Sequence, residues 1–383
     1  MKKILFLQIV GNSLGGVWFV NKALGEELKK RGYDVSVLAI RNNHPGDNIK
    51  DTTLKIDVIN KKDKWEIVHK GDVFRNLFKM KLFKTLKQYF SDNKKLKEDY
   101  SFMKEKILEI NPDYIIASHY QTLPGVPKQF LNRTIFVQHS SFNYLLNDRN
   151  NVRVLKKLND QIFGLYWLCK STMQRALDFG FKKNHYIYNP NKFTTEEISD
   201  VVKNKKIVVI TRIAPEKRID LMINIVNDVF KDDKLKDWKF EIYGVGEFSS
   251  DSKTILENSK QIIYKGLTNN PMEVLLNSSL TLNTSIYEGF SLSIIEGYSC
   301  GLPVIAFNFG ESAHEQVIDD YNGYIIENDN IIEFKKKLHN LLLDDELLEK
   351  MSKNAKEFSL QFSINSIVDK WETVFKKIDE VGD

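Results

Sequence analysis

The segment Glu288–Glu296 reads Glu-Gly-Phe-Ser-Leu-Ser-Ile-Ile-Glu. A glycine follows the first acid, Ser291 stands where a helix cap belongs, and an apolar run continues, so the pattern predicts a helix over Ser291–Ser299. The first N–H groups of a helix have no intrahelical acceptor, and the macrodipole favours negative charge beside them, so a diphosphate is the expected occupant. Glu296 falls about one to two turns into that helix, where its carboxylate can accept hydrogen bonds from the vicinal hydroxyls of a ribose. A capped helix with two surface glutamates would show the same residues, so the reading depends on partners elsewhere in the chain.

Those partners are cations. The strand pattern Lys205–Thr211 runs into Thr211-Arg212-Ile213-Ala214-Pro215-Glu216-Lys217. Arg212 and Lys217 thus stand past the carboxyl end of a strand, where open α/β sheets bind their ligands. Two positive charges there neutralise a pyrophosphate and stabilise it as a leaving group. Tyr243-Gly244-Val245-Gly246-Glu247 is another strand running into glycines, a pattern that alone marks only a tight turn.

The elements that must hold these residues alternate along the chain. Apolar, β-branched runs at Lys3–Val10, Val35–Ile40, Asp113–Ser118 and Thr134–Gln138 are separated by longer segments that include a helical pattern at Val17–Arg31. The pattern restarts with Lys205–Thr211 and continues through strands Lys239–Tyr243, Ile262–Tyr264, Ser279–Asn283 and Pro303–Ala306, with helices Asp220–Phe230, Pro271–Asn277 and Ser291–Ser299 between them. Strand–helix alternation implies βαβ units and parallel sheets. Two α/β halves joined near 188–205 follow, and a chain of 383 residues suits two domains better than one core. Asn330–Lys377 is helical by period.

Composition agrees with a globular protein: 42% apolar and 28% charged residues, with 24 Phe and 15 Tyr. The two cysteines, Cys169 and Cys300, have neither the number nor the spacing for a disulfide framework or a zinc site. The apolar run after Lys2-Lys3 is short and broken at Gly11-Asn12-Ser13, which favours a buried first strand over a signal peptide, and no run is long enough to span a bilayer. The expected location is the cytoplasm. The net charge of +5 is unevenly placed: residues 61–106 hold 14 Lys and Arg against 7 Asp and Glu, so the rest of the chain is slightly acidic. A local basic surface is implied, and no nucleic-acid coat.

Order and spacing together carry a resemblance. Thr211–Lys217, Gly244-x-Gly246, the Glu288/Glu296 pair, Cys300-Gly301-Leu302-Pro303 and Asp320-Tyr321-Asn322-Gly323 resemble the motifs of glycosyltransferase family 4, retaining enzymes of the GT-B fold. Gly15-Gly16 and Asn189-Pro190-Asn191 extend the match. The resemblance implies two Rossmann-like domains facing across a cleft: 1–188 on the acceptor side, 189–361 on the donor side, and a closing helix within 362–383 that crosses back to the first. It implies that Arg212 and Lys217 hold the donor diphosphate and Glu296 the ribose. By the same resemblance Glu288 would contact hydroxyls of the transferred sugar, with the N–H groups of Phe290, Ser291 and Leu292 around phosphate and sugar. It also implies Gly15 and Gly16 as a loop of close approach, His139 facing the donor sugar, and the loop Gly266–Asn270, with Leu267, at a uracil base. Thr211 stands where the family often has glycine, and Lys217-Arg218 where it often has Lys-Gly, so Arg218 either reaches the site or points to solvent.

The implied activity is transfer of a hexose or N-acetylhexosamine from a nucleotide sugar, UDP-linked by family resemblance, to a hydroxyl of a glycan, teichoic-acid or lipid-linked acceptor. No carboxylate is nominated as a covalent nucleophile, and the resemblance implies a front-face substitution, without metal or cofactor. The Asp-Asp pairs at 232–233, 319–320 and 344–345 read as solvated. The stretch 74–90 is basic, aromatic and helical by period; it suits either an anionic membrane surface, at the inner face of the cell membrane, or packing on the first domain. Two rivals stay open: a GT-B-fold sugar-nucleotide epimerase, and a sugar-nucleotide-binding subunit without activity.

Overall fold

The computed structural model describes residues 1–10, 15–41, 52–60, 97–193 and 195–382. The basic stretch 74–90 lies outside them. The first sheet is built from β1 (Lys3–Val10), β2 (Asp34–Arg41), β3 (Lys55–Asn60), β4 (Tyr114–Ala117), β5 (Thr134–Gln138), β6 (Gly164–Trp167) and β7 (Asn184–Tyr186), in the order β3-β2-β1-β4-β5-β6-β7. Every pairing is parallel. The second sheet holds β8 (Lys206–Ile210), β9 (Lys239–Tyr243), β10 (Ile262–Gly266), β11 (Leu280–Asn283), β12 (Val304–Phe307) and β13 (Gly323–Ile326), in the order β10-β9-β8-β11-β12-β13, again all parallel.

Parallel sheets are covered on both faces, which is why β1 reads as an almost unbroken apolar run. Its alternate residues serve two cores. Ile4 and Phe6 face Trp18, Leu24 and Leu28 of the helix Gly16–Lys30, whereas Leu5 and Leu7 join Met103, Ile107 and Phe136 on the other side. In each sheet the strand order reverses at one place, between β1 and β4 and between β8 and β11, and such switch points leave a crevice at the carboxyl ends of the strands. The loops after β1, β5, β8 and β11 are the ones that carry Gly16, His139, Arg212 and Glu288.

The C-terminal helix Ile364–Gly382 returns to the first sheet. Its Ile367, Val368, Trp371, Val374 and Phe375 are buried in the same core as Phe6 and Trp18. Phe375 stacks on Tyr114 with ring centroids 4.4 Å apart. Arg31 pairs with Glu372 at 2.8 Å, and Lys2 pairs with Asp379 at 3.0 Å. Each of the large apolar residues contributes about 1.5–3 kcal/mol on burial, so the helix is an integral layer of the first half.

Some expectations need revision. The helical stretch Asn330–Lys377 is three helices, Ile331–Leu342, Asp345–Ser359 and Ile364–Gly382. Asp344 stops the first and caps the second through the N–H of Leu347. Strands β3, β6, β7 and β13 were not predicted. The Asp-Asp pairs are more than solvated: Asp232 accepts from Lys234 N–H and contacts His339, and Asp319 accepts from Ile325 N–H.

Candidate active site

A cavity of about 490 Å³ lies between the two sheets. From the first side it is lined by Gly16, Phe19 and His139, and from the second by Arg212, Lys217, Gly244, Leu267, Glu288, Phe290, Ser291, Leu292 and Glu296. The expected site residues therefore converge, except that Gly15 stands just outside as the N-cap of the helix Gly16–Lys30. Arg218 turns away. It adopts a left-handed backbone conformation, pairs with Asp329 and lies 5.4 Å from the Phe307 ring.

Gly244 is required sterically. The ladder between β8 and β9 continues past both strand ends, with Thr211 N–H donating to Tyr243 and Ile213 N–H to Val245. Gly244 has φ of 146°, and a Cβ there would sit 1.7 Å from the Thr211 carbonyl oxygen. Only glycine lets the two loops run so close, and this closeness brings Arg212 to the cavity.

Arg212 is 65% exposed and pairs loosely with Glu216 at 3.0 Å, so it remains available to an incoming anion. Lys217 is more enclosed. Its Nζ lies 2.5 Å from Glu288 Oε1, which also accepts from Ser285 Oγ at 2.8 Å. Thr284 Oγ1 donates to the Lys217 carbonyl at 2.8 Å and fixes that turn to the end of β11. Lys217 and Glu288, from the loops after β8 and β11, are thus already in contact with each other.

The helix start differs from the expectation. Ser291 occupies the N-cap position of the helix Leu292–Ser299 but its side chain makes no capping bond. Its hydroxyl accepts from Asn283 Nδ2 at 3.1 Å. The side-chain amide of Gln316 clamps the Ser291 backbone, accepting from its N–H at 2.9 Å and donating to its carbonyl at 2.8 Å. Ser291 N–H is therefore already engaged within the protein. The N–H groups at the next positions, Leu292 and Ser293, have no intrahelical acceptor, and both residues line the cavity. Phe290 also joins the two halves, because its ring stacks on Tyr188 and meets Phe362 edge-on.

Glu296 is paired with Lys192 at 3.0 Å. Burial pushes its carboxyl above the usual range, and the Lys192 ammonium opposes that shift. His139 faces the cavity from the end of β5. Burial holds its pKa down to about 4, so the ring is neutral at pH 7, and its buried Nε2 has no hydrogen-bond partner among the described residues. His119, by contrast, does not line the cavity; its Nδ1 accepts from Gln121 N–H and caps a 3₁₀ turn.

Other contacts hold the halves together. A carboxylate oxygen of Glu315 accepts from Ser171 N–H at 2.6 Å, and the other accepts from Lys170 N–H at 2.9 Å and Tyr188 O–H at 3.0 Å. It therefore caps, from the second half, the helix Lys170–Asp178 of the first. Arg175 on that helix pairs with Glu311. At the rim, Tyr144 and Tyr287 approach from opposite halves with centroids 6.5 Å apart.

Residues 192–358 match the family model described as glycosyl transferases group 1. This part, less than half of the chain, is similar to that family. Over 98% of its length the chain is 28% identical to an uncharacterized glycosyltransferase of Haemophilus influenzae, all of which it covers. It is 34% identical, over 49% of its length, to the poly(ribitol-phosphate) alpha-N-acetylglucosaminyltransferase of Staphylococcus aureus, and spans only 36% of that longer protein. The fold is GT-B: the structure superposes on that of S. aureus TarM with a TM-score of 0.74, 18% identity and coverage of 98% of this chain and 100% of the other. That TarM structure is of a mutant in complex with fondaparinux, alpha-GlcNAc-glycerol and UDP.

The matched family region contains Arg212, Lys217, Glu288 and Glu296, and also site residues that sequence reasoning missed: Lys192, Ser285 and Gln316. For Ser285 a signal existed, because Asn283-Thr284-Ser285 is a polar run at the carboxyl end of a strand. Gln316 and Lys192 are brought in by tertiary contacts, from residues distant in the chain.

Proposed function

We propose that this protein is a retaining glycosyltransferase that moves a hexose or N-acetylhexosamine from a UDP-sugar to a hydroxyl of a teichoic-acid, glycan or lipid-linked acceptor. The observation that carries this reading is the convergence of Arg212, Lys217, Glu288, Glu296 and the open helix start on one interdomain cavity opposite His139. In this reading Arg212, Lys217 and the N–H groups of Leu292 and Ser293 bind the diphosphate. Glu296 holds the ribose, and the exposed Leu267 with Val245 covers the base. Glu288, fixed by Lys217 and Ser285, and the neutral His139 hold the sugar between them.

The acceptor oxygen attacks the anomeric carbon on the face from which the phosphate leaves. The bond from that carbon to the phosphate oxygen breaks, and the acceptor proton passes to the departing diphosphate. Cations and helix N–H groups stabilise the charge that develops there. No metal has a part in this scheme. The site residues the scheme uses give it its charge, and an epimerase would instead need acid and base groups beside the sugar ring. The S. aureus relative's ribitol-phosphate acceptor supports the teichoic-acid class. The deciding experiment is an assay of a sugar-nucleotide panel with and without polyol-phosphate and lipid-linked acceptors, with product anomers read by NMR. Acceptor-dependent transfer with retained configuration is expected. Donor epimerised without acceptor, or bound and left unchanged, defeats the proposal.

A further inference from the structure

We infer that Lys192 is a positioning residue for a nucleoside ribose: its ammonium fixes one carboxylate oxygen of Glu296 and leaves the other to accept from the ribose hydroxyls. This rests on the nucleotide-sugar reading above and adds to it a residue on the connection between the two halves. The geometry is well determined by its neighbours. Asn191 Nδ2 donates to the Ile295 carbonyl at 2.8 Å and Asn191 N–H to the Phe362 carbonyl at 2.7 Å, so the connecting segment is tied to the helix that bears Glu296. The Lys192 ammonium then lies 3.0 Å from Glu296 Oε1, 4.9 Å from the Phe19 ring and 4.8 Å from the Phe193 ring. Phe19 belongs to the first half, and both Phe19 and Lys192 line the cavity. No other side chain among the described residues pairs with the Glu296 carboxylate.

The physical need is plain. A largely buried carboxylate tends to protonate, and a protonated acid loses acceptor capacity and becomes a donor. Two vicinal hydroxyls both donating to Glu296 require it ionised. Of the titratable groups around it, Lys192 faces it from the connecting segment and Cys300 from the end of its own helix. Burial pushes the Cys300 thiol up to about 11, so it stays neutral, and Lys192 is the group that keeps the charge on Glu296.

The test compares UDP with 2′-deoxy-UDP by titration calorimetry on the full chain, as wild type, Lys192→Met and Lys192→Arg, at acidic, neutral and alkaline pH. Wild type should prefer UDP by about tenfold, the ratio that a charged hydrogen bond of about 1.4 kcal/mol supplies. Lys192→Met should lose that preference towards the acidic end and regain it as pH rises, because burial raises the Glu296 carboxyl and no cation then opposes it; Lys192→Arg should keep it throughout. If Lys192→Met fails to fold, Lys192→Gln makes the same comparison. A preference unchanged in the neutral variant, or lost equally at every pH, overturns the inference and leaves the proposed function standing. Wild type that binds neither nucleotide overturns the proposed function itself.

Discussion

Gly289 packs its backbone directly on that of His139: a Cβ at 289 would come within 2.2 Å of the His139 carbonyl oxygen. One residue belongs to the loop after β11 and the other to the end of β5, so the halves meet backbone to backbone beside Glu288. A single methyl group has no room without moving one half against the other. Gly289→Ala is expected to lower transfer by about a hundredfold, the scale of a 1 Å misplacement, while circular dichroism stays native. Full activity in that variant would show that the contact does not set the cleft.

Glu315 reaches across to cap the helix Lys170–Asp178 and to accept from Tyr188. Glu315→Ala removes an interdomain cap, a loss of about 0.5–2 kcal/mol. We expect a larger radius of gyration in small-angle scattering and a raised KM for the donor, with kcat less affected. An unchanged scattering profile and KM would mean that the other contacts between the halves, among them the Tyr188, Phe290 and Phe362 cluster, hold the cleft without Glu315.

Burial holds His119 and His139 at about 4, below the ordinary 6.5. Between those values the unfolded chain binds more protons than the folded one, so stability must fall as pH drops through that window and be complete above it. Thermal unfolding followed from pH 7.5 to pH 5 should show a falling Tm. His139→Gln should flatten part of the slope, and an identical slope in that variant would contradict the assignment.

Lys217 and Glu288 are only 17% and 15% exposed and lie 2.5 Å apart. In the proposed reaction Lys217→Ala removes a leaving-group cation, and a loss of about 10²–10³ in kcat is expected by analogy with other preorganised electrostatic groups. Native thermal stability with near-wild-type transfer would remove Lys217 from the reaction.

The basic stretch 74–90 is testable independently of its structure. If it lies on an anionic membrane surface, the protein should co-sediment with anionic vesicles, less so as salt is raised, and not with neutral ones. Equal, negligible binding to both would exclude that role.

The alternation of elements was readable because buried parallel strands such as β1 and β8 are continuous apolar runs. The missed strands are those where this signal is weakest. β7 is Asn184-His185-Tyr186 at a sheet edge, partly exposed and polar, and β6 and β13 are four residues each. The charged members of the site were legible because Arg212, Lys217 and Glu288 follow strand ends and Glu296 stands within the helix that begins just after Glu288, where sequence patterns are local. What was not legible is how these charges are already engaged. That Ser291 N–H is taken by Gln316, or that Lys192 stands on Glu296, depends on packing between distant segments.

The return of the C-terminal helix also sets an order of events during synthesis. Trp371 and Phe375 are made after the whole second sheet, yet they close the core around Phe6, Trp18 and Tyr114, which are made before it. The second sheet has all its strands by Ile326 and can condense while the first still has an open apolar face. The first sheet's half thus stays incomplete until the second sheet has been made, and a break within the helix Ile364–Gly382 would leave a finished second half attached to an aggregation-prone partner.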